Sequence, residues 1–155
     1  MADLDQIDKK LLNVLQQNAR LTNQELAERV GLSASPCLRR LKRMEQDGVI
    51  SRYVALVDQK AVGLPVSVFI SVKLERQRED VMAHFDSEIA KYPEVLECYL
   101  MTGSRDYLLR VVAENLEAYE RFLKEKLTRI EGVSSIESSF ALNQVKYTNK
   151  LPIRP

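Results

Sequence analysis

The sequence predicts an α+β protein in two parts, an N-terminal winged helix-turn-helix followed by a ferredoxin-like βαββαβ domain. Apolar residues recur at helical intervals as far as Gly48, and from Val66 onward strand-like alternation is interleaved with helical periodicity. Gly63 and Pro65 mark a loop between the two patterns. The prediction therefore assigns residues 1–58 to the helix-turn-helix, 59–65 to a linker and 66–155 to the second domain.

The first domain is predicted to contain three helices, and the first two have clear start signals. Asp5 and Asp8 lie in the first turn of the first helix, where carboxylates suit free backbone N–H groups. Thr22 and Glu25 have the spacing of a capping box for the second helix, and Gly31 suits its C-terminal end. A short turn after Gly31 then leads to a third helix, which is the arrangement of a helix-turn-helix.

The third helix is predicted to begin at a serine. Ser35 followed by Pro36 is typical of a cap followed by a first-turn proline, and Ser33 is the alternative cap. Helical spacing predicts three residues that face the core, namely Leu38, Leu41 and Met44.

A basic cluster on the third helix, Arg39 to Arg43, makes DNA the predicted partner. An arginine can pair twice with guanine or bind phosphate, and the hydroxyls and free N–H groups of a helix start suit phosphates. Basic residues on a helix usually form a solvated face, but the preceding helix and turn favour a role in the major groove here. The candidate DNA-binding residues are Ser33, Ser35, Pro36, Arg39, Arg40 and Arg43.

The second domain alternates strands and helices in the order of a ferredoxin-like sheet. Residues 50–57 are predicted to be extended and to form a wing hairpin or a linker strand. Residues 145–150 are a candidate for a further strand. The predicted strands are 66–74, 95–102, 107–113 and 133–142, and the predicted helices are 80–91 and 116–130. One face of such a sheet lacks helices, so a dimer joined sheet to sheet would cover it economically.

Composition narrows the class of protein. The 155 residues carry a formal net charge of +1 and contain two cysteines far apart in sequence. A disulfide framework or a zinc cluster is not expected, and a reducing cytoplasm fits. With His84 as the single histidine and no nucleotide-binding or metal motif, the sequence predicts neither an enzyme nor a bound cofactor. No apolar run approaches the roughly 20 residues that a membrane-spanning helix needs.

Short motifs follow one another in a specific order along the chain. They include Pro36-Cys37-Leu38-Arg39-Arg40-Leu41 and Gly103-Ser104-Arg105-Asp106-Tyr107-Leu108-Leu109, together with residues 4–5, 7–8, 18–20, 25–27, 30–33, 48–50, 95–98 and 132–133. This order resembles the Lrp/AsnC family of leucine-responsive and asparagine-operon regulators. The resemblance implies a winged helix-turn-helix joined to a ferredoxin-like effector domain, often called RAM. It also implies homodimers that commonly assemble to an octamer, with amino-acid effectors bound between dimers.

The effector site can be argued partly from chemistry. A free amino acid needs donors for its carboxylate, acceptors for its ammonium group and an apolar wall for its side chain. The turn after the second strand offers hydroxyls, backbone N–H groups and a carboxylate, and the resemblance adds the last strand of a neighbouring subunit. The candidate effector residues are Leu100, Met101, Thr102, Gly103, Ser104, Asp106, Ser138, Ser139 and Phe140. The alternative is a plain hairpin turn in which Asp106 is structural and accepts backbone N–H groups.

Three functions are compatible with these residues. The leading one is a cytoplasmic, sequence-specific transcriptional regulator that binds double-stranded DNA and responds to an amino acid, with a weak preference for leucine or methionine. The second is an architectural protein that wraps DNA without an effector. The third is an enzyme or carrier built on the ferredoxin-like domain, which the lack of a catalytic set disfavours.

Overall fold

The computed structural model describes residues 3–154, so the first two residues and the last residue of the predicted domains lie outside it. Those residues form two compact units. One contains the chain up to Leu56 together with the segment from Lys146 onward, and the other is Val57–Val145. The C-terminal segment therefore packs with the helix-turn-helix and not with the second domain, where the sequence placed it.

The N-terminal unit consists of three helices around a small core. They are α1 (Gln6–Leu15), α2 (Asn23–Val30) and α3 (Ala34–Gln46). The predicted capping box between Thr22 and Glu25 is formed in α2, and Asp5 and Asp8 form a second capping box at the start of α1. The buried apolar residues of this core are Leu11, Leu12, Leu26, Ala27, Cys37 and Met44.

The segment predicted as a wing hairpin or linker strand is irregular. Residues 51–57 have no regular secondary structure, so within the part of the chain described here no wing strand is present. Residues 145–150 likewise form no strand. The C-terminal segment instead lies on α1: the Gln16 side chain donates to the Leu151 carbonyl oxygen at 3.1 Å, and the Leu151 N–H donates to Gln16 at 2.6 Å.

The second unit is a four-stranded antiparallel sheet in the order β2-β3-β1-β4 with two helices. Its elements are β1 (Val66–Leu74), α4 (Glu79–Ile89), β2 (Val95–Leu100), β3 (Tyr107–Ala113), α5 (Leu116–Glu125) and β4 (Val133–Phe140). The predicted order βαββαβ is confirmed. The second predicted helix is shorter than expected, because a 3₁₀ turn at Leu127–Arg129 replaces its last turn.

The structure decides which sheet face is covered, a choice that the alternation in β1 leaves open. Val68, Ile70 and Val72 are fully buried in the core that contains α4 and α5 residues such as Phe85 and Phe122. The opposite face carries Phe69, Ser71 and Lys73 of β1, and Phe69 is exposed. Among the helices described, none is long and apolar enough to cross a membrane.

Candidate nucleic-acid interface and effector cavity

A tight turn connects α2 to α3, which lies at the surface of the N-terminal unit. Gly31 ends α2 in the left-handed conformation, with φ of 73°, and Ser33 is the N-cap of α3. Only three residues therefore separate the two helices, as in a compact helix-turn-helix. The cap is Ser33, the alternative of the two serines, and Ser35 lies within the first turn of the helix.

The inward side of α3 is rotated relative to the prediction. Cys37 and Met44 are fully buried and Leu41 is partly buried, whereas Leu38 is 43% exposed. The prediction that Leu38 faces the core is wrong, because α3 buries Cys37 in its place, and Leu38 lies one residue, about 100°, further round the helix.

The exposed side of α3 carries a compact set of four residues, which we call the outer face. Its members are Ser35, Leu38, Arg39 and Lys42, all exposed. At about 100° per residue they fall within an arc of about 100°. Arg39 and Lys42 form no ion pair with any residue that the structure describes. Sequence reasoning noted the charge of Lys42 but did not include it among the DNA-binding candidates.

Arg40 and Arg43 are engaged within the unit. Arg40 donates to Asp5 at 2.6 Å and to Asp8 at 2.8 Å, and Arg43 donates to the other oxygen of Asp8. Asp8 is fully buried, and a buried charge is costly unless it is paired. These two guanidinium groups compensate the charge of the Asp8 carboxylate. The Asp8 backbone N–H and then the Arg40 guanidinium hold the pKa of Asp5 below its ordinary value of 3.8. The Asp8–Arg40–Arg43 contacts therefore tie α1 to α3.

The remaining DNA-binding candidates lie at the start of α3. Ser33 is exposed and its side chain makes no capping hydrogen bond, and Ser35 is also exposed. Pro36 is half-buried. The structure thus places Ser33 and Ser35 at the accessible start of α3, where the free N–H groups of the helix also lie, and Arg39 about one turn further along the helix.

In the second unit, Asp106 is a buried structural residue. Its carboxylate accepts the Leu74 N–H at 2.7 Å and the Gln77 side-chain amide at 2.5 Å. Its own N–H donates to the Val72 carbonyl at 2.9 Å, and its carbonyl accepts the Met101 N–H at 2.8 Å. Three of these bonds join Asp106 to the end of β1 and the segment after it, and the bond with Met101 closes the turn between β2 and β3. Within one chain, Asp106 therefore has the structural role of the alternative prediction.

A cavity of about 170 Å³ adjoins this carboxylate. It brings together three of the predicted effector residues, Leu100, Met101 and Asp106. Sequence reasoning missed the other lining residues, Leu74, Gln77 and Met82. They come from β1, the segment after it and α4. The antiparallel pairing of β1 with β3, in which Val72 lies opposite Tyr107, brings the end of β1 next to Asp106 and is a signal that could have placed Leu74 there.

The other effector candidates lie elsewhere in the chain. Thr102, Gly103 and Ser104 form an exposed turn beside the cavity. Ser138 hydrogen-bonds to the Tyr119 hydroxyl, and the Phe140 ring packs edge-on to the Tyr119 ring with centroids 5.2 Å apart. Ser139 lies on the face of the sheet without helices, paired with Phe69. Within one protomer, residues 138–140 do not line the cavity.

The cysteines are not arranged as a metal site. Burial raises the pKa of the Cys37 thiol, which is enclosed in the N-terminal core as a packing residue. Burial and the Asp86 carboxylate raise the pKa of Cys98 to about 11. Across residues 3–154, no group of three or more potential metal-binding side chains occurs.

Comparison with known proteins finds one family model for the helix-turn-helix and another for the second domain. The family model for a winged helix-turn-helix DNA-binding domain matches residues 4–51, and that for the Lrp/AsnC ligand binding domain matches residues 67–151. The Bkd operon transcriptional regulator of Pseudomonas aeruginosa is 44% identical over 99% of this chain and 100% of its own length. The DNA-binding transcriptional activator DecR of Escherichia coli is 41% identical over 97% of this chain and 99% of its own.

The solved structure of a transcriptional regulator from Neisseria meningitidis in complex with L-Met is similar to this chain over nearly its whole length. The TM-score is 0.92, with 44% identity and 97% of each chain covered.

Proposed function

The chain belongs to the Lrp/AsnC family of transcriptional regulators, and on that premise we propose that a free amino acid, bound by its second unit, controls how it binds DNA. The protein is a DNA-binding transcriptional regulator with an Lrp/AsnC ligand binding domain, and its relatives are regulators and not enzymes. We further propose the residues, the effector and the assembly through which it acts.

The observation that carries DNA binding is the outer face of α3. Arg39 and Lys42 are exposed and unpaired within the described chain, whereas Arg40 and Arg43 are held by Asp8. We therefore assign the leading DNA contact to Arg39, with Ser33 and Ser35 at phosphates. Arg40 and Arg43 act mainly by positioning α3, although Arg43 keeps 47% of its side chain exposed for a phosphate contact.

Changing Arg39→Ala is expected to weaken binding to a selected operator by about 1–3 kcal/mol, because the contact to base or phosphate is lost. If Arg39 reads a base, the variant relaxes preference at one position. If it binds phosphate, the variant weakens all sequences alike and lowers the salt slope by about 1. Fluorescence anisotropy with labelled duplexes at several salt concentrations distinguishes the two.

Arg121→Ala removes the same charge from an exposed site on α5 and is the control. Equal affinities of both variants and the unaltered protein would remove Arg39 from the interface.

The cavity beside Asp106 is the proposed effector site. Its walls are apolar at Leu74, Met82, Leu100 and Met101, and Gln77 and Asp106 supply the polar groups. A mainly apolar pocket with a few polar groups suits an amino acid with an apolar side chain. Leucine or methionine is the preferred effector, and the L-Met complex of the Neisseria regulator supports methionine. Thr102, Gly103 and Ser104 would meet the effector's charged groups, with Ser138, Ser139 and Phe140 supplied by a neighbouring subunit.

A thermal-shift screen of the common amino acids tests the sensor, because a ligand that binds only the folded protein raises its stability by mass action. Leucine or methionine is expected to raise the melting temperature. Met101→Ala is expected to weaken methionine binding about tenfold, equivalent to ~1.4 kcal/mol, without loss of folding, since Met101 is 43% exposed. Leu116→Ala, an exposed apolar residue outside the cavity, is the control. Unchanged calorimetric binding to Met101→Ala would place the effector elsewhere.

The assembly is proposed to be a homodimer, and further an octamer, in the cytoplasm. The sheet face without helices carries the exposed Phe69 and Tyr99 beside an Arg110–Glu97 ion pair, which is a surface suited to a second copy. The second candidate function is an architectural DNA-wrapping protein that uses the same α3 and the same assembly. If no amino acid at millimolar concentration changes the DNA affinity or the oligomeric state, that alternative is favoured.

A further inference from the structure

Leu38 is an apolar side chain at the edge of a polar, cationic surface. At about 100° per residue it lies at one edge of the outer face of α3, about 40° from Lys42 and about 60° from Ser35, and it is 43% exposed. It belongs neither to the buried N-terminal core nor to the partly buried residues packed against that core. Single exposed leucines are ordinary on protein surfaces. This one lies on the helix that the fold presents to DNA.

The packing of α3 explains why Leu38 points outward. Cys37 and Met44 are fully buried against α1 and α2, and the contacts of Arg40 and Arg43 with Asp8 hold the helix in that rotation. Leu38 could reach the core only if α3 turned by about 100°, which would break those contacts and expose Cys37. Its exposure therefore follows from the same contacts that orient Arg39.

The major groove offers such a side chain one distinctive apolar partner. Each base pair presents a pattern of donors and acceptors there, and the A·T pair adds the 5-methyl group of thymine. Arg39 and Lys42 can satisfy guanine acceptors or phosphates, but a leucine makes no hydrogen bond and gains by burying apolar surface.

We propose that Leu38 is a specificity-determining residue that contacts the 5-methyl group of a thymine in the operator. The inference rests on the proposed placement of α3 in the major groove, and it adds a base preference that the arginines cannot supply. Cytosine and uracil lack the methyl group, so both are discriminated against at that position.

The test uses DNA that differs only in this methyl group. Random duplex libraries are prepared with thymidine or with deoxyuridine in its place, and each is enriched by repeated binding to the full-length protein. In the sequence selected from the thymidine library, single thymines are then replaced one at a time by deoxyuridine, and affinity is measured by fluorescence anisotropy.

For the unaltered protein we expect at least one thymine at which loss of the methyl group weakens binding about fourfold, equivalent to ~0.8 kcal/mol for one buried methyl-sized group. Leu38→Ala should bind the two duplexes with equal affinity. Leu38→Met, which keeps an apolar side chain of similar size, should retain the discrimination. Arg39→Ala should weaken binding to both duplexes while the ratio between them stays near fourfold.

Two results would overturn the inference and leave DNA binding by α3 intact: equal affinity of the unaltered protein for thymine and uracil at every position, or methyl discrimination that persists in Leu38→Ala. Failure of the unaltered protein to enrich any sequence from either library would instead contradict sequence-specific binding itself, and the role of Leu38 with it. Comparing each variant on the same pair of duplexes removes any effect of uracil on DNA shape.

Discussion

Replacing Asp8 by asparagine is expected to lower the unfolding free energy of the N-terminal unit by about 2–3 kcal/mol. The carboxylate is fully buried and accepts charge-assisted hydrogen bonds from both Arg40 and Arg43. A hydrogen bond to a charged group contributes about 1.5–3 kcal/mol, and an amide keeps only one acceptor oxygen. The other group of the amide, an N–H₂, would face a guanidinium. The two arginines are partly exposed and can be rehydrated, which keeps the loss below that of a fully buried broken pair.

Hydrogen exchange of the α1 and α3 amides measures this loss locally. Asp3→Asn removes the same charge from an exposed site near the same helix and should leave the exchange unchanged. In the Asp8→Asn variant the backbone amides of α1 and α3 should exchange faster, because the contacts that hold α3 in its orientation against α1 are weakened. Equal protection in the two variants would mean that the arginine contacts with Asp8 do not hold α3.

Gly132→Ala is expected to destabilise the second unit by about 2–5 kcal/mol. Gly132 has φ of 88°, and an added Cβ would lie 2.6 Å from Cγ1 of Val81 on α4. An alanine in the left-handed region costs about 1–2 kcal/mol, and overpacking adds typically 1–3 kcal/mol. Gly132 precedes β4, and its carbonyl accepts the Glu75 N–H at 2.8 Å, so the backbone cannot move away freely.

Gly63→Ala is the matched control for conformational strain. Gly63 has φ of 80° in the same unit, but a Cβ there would meet nothing within 4 Å. It should cost only about 1–2 kcal/mol in urea denaturation. Val81→Ala in the Gly132→Ala background should recover part of the difference, because it removes the obstructing methyl group. If the two single glycine variants lose equal stability, the Val81 contact is not the cause.

Local signals account for the parts of the fold that were predicted. The capping box at Thr22 and the left-handed Gly31 depend on residues at most four positions apart, and both are formed. Asp5 and Asp8 lie at the start of α1 as predicted, and they form a further capping box there. Where local signals compete, as at Ser33 and Ser35, the sequence left two caps open and the structure selects Ser33.

The candidate site was predicted less well, because its geometry depends on residues distant in sequence. Arg40 meets Asp8 from 32 positions away, and Gln77 meets Asp106 from 29 positions away. No periodicity reveals such pairs. The basic cluster was therefore recognised, but its division into Arg39 on the surface and Arg40 and Arg43 bound to carboxylates was not.

Periodicity, caps and motif order along the chain were enough to predict the fold class, the order of elements and the family. Which way each element faces depends instead on how the elements pack against one another in the folded protein. At about 100° per residue, a shift of one position separates a buried Cys37 from an exposed Leu38. The covered face of the sheet, the burial of Asp106 and the return of the C-terminal segment to α1 were decided in the same way, by packing between segments that only folding brings together.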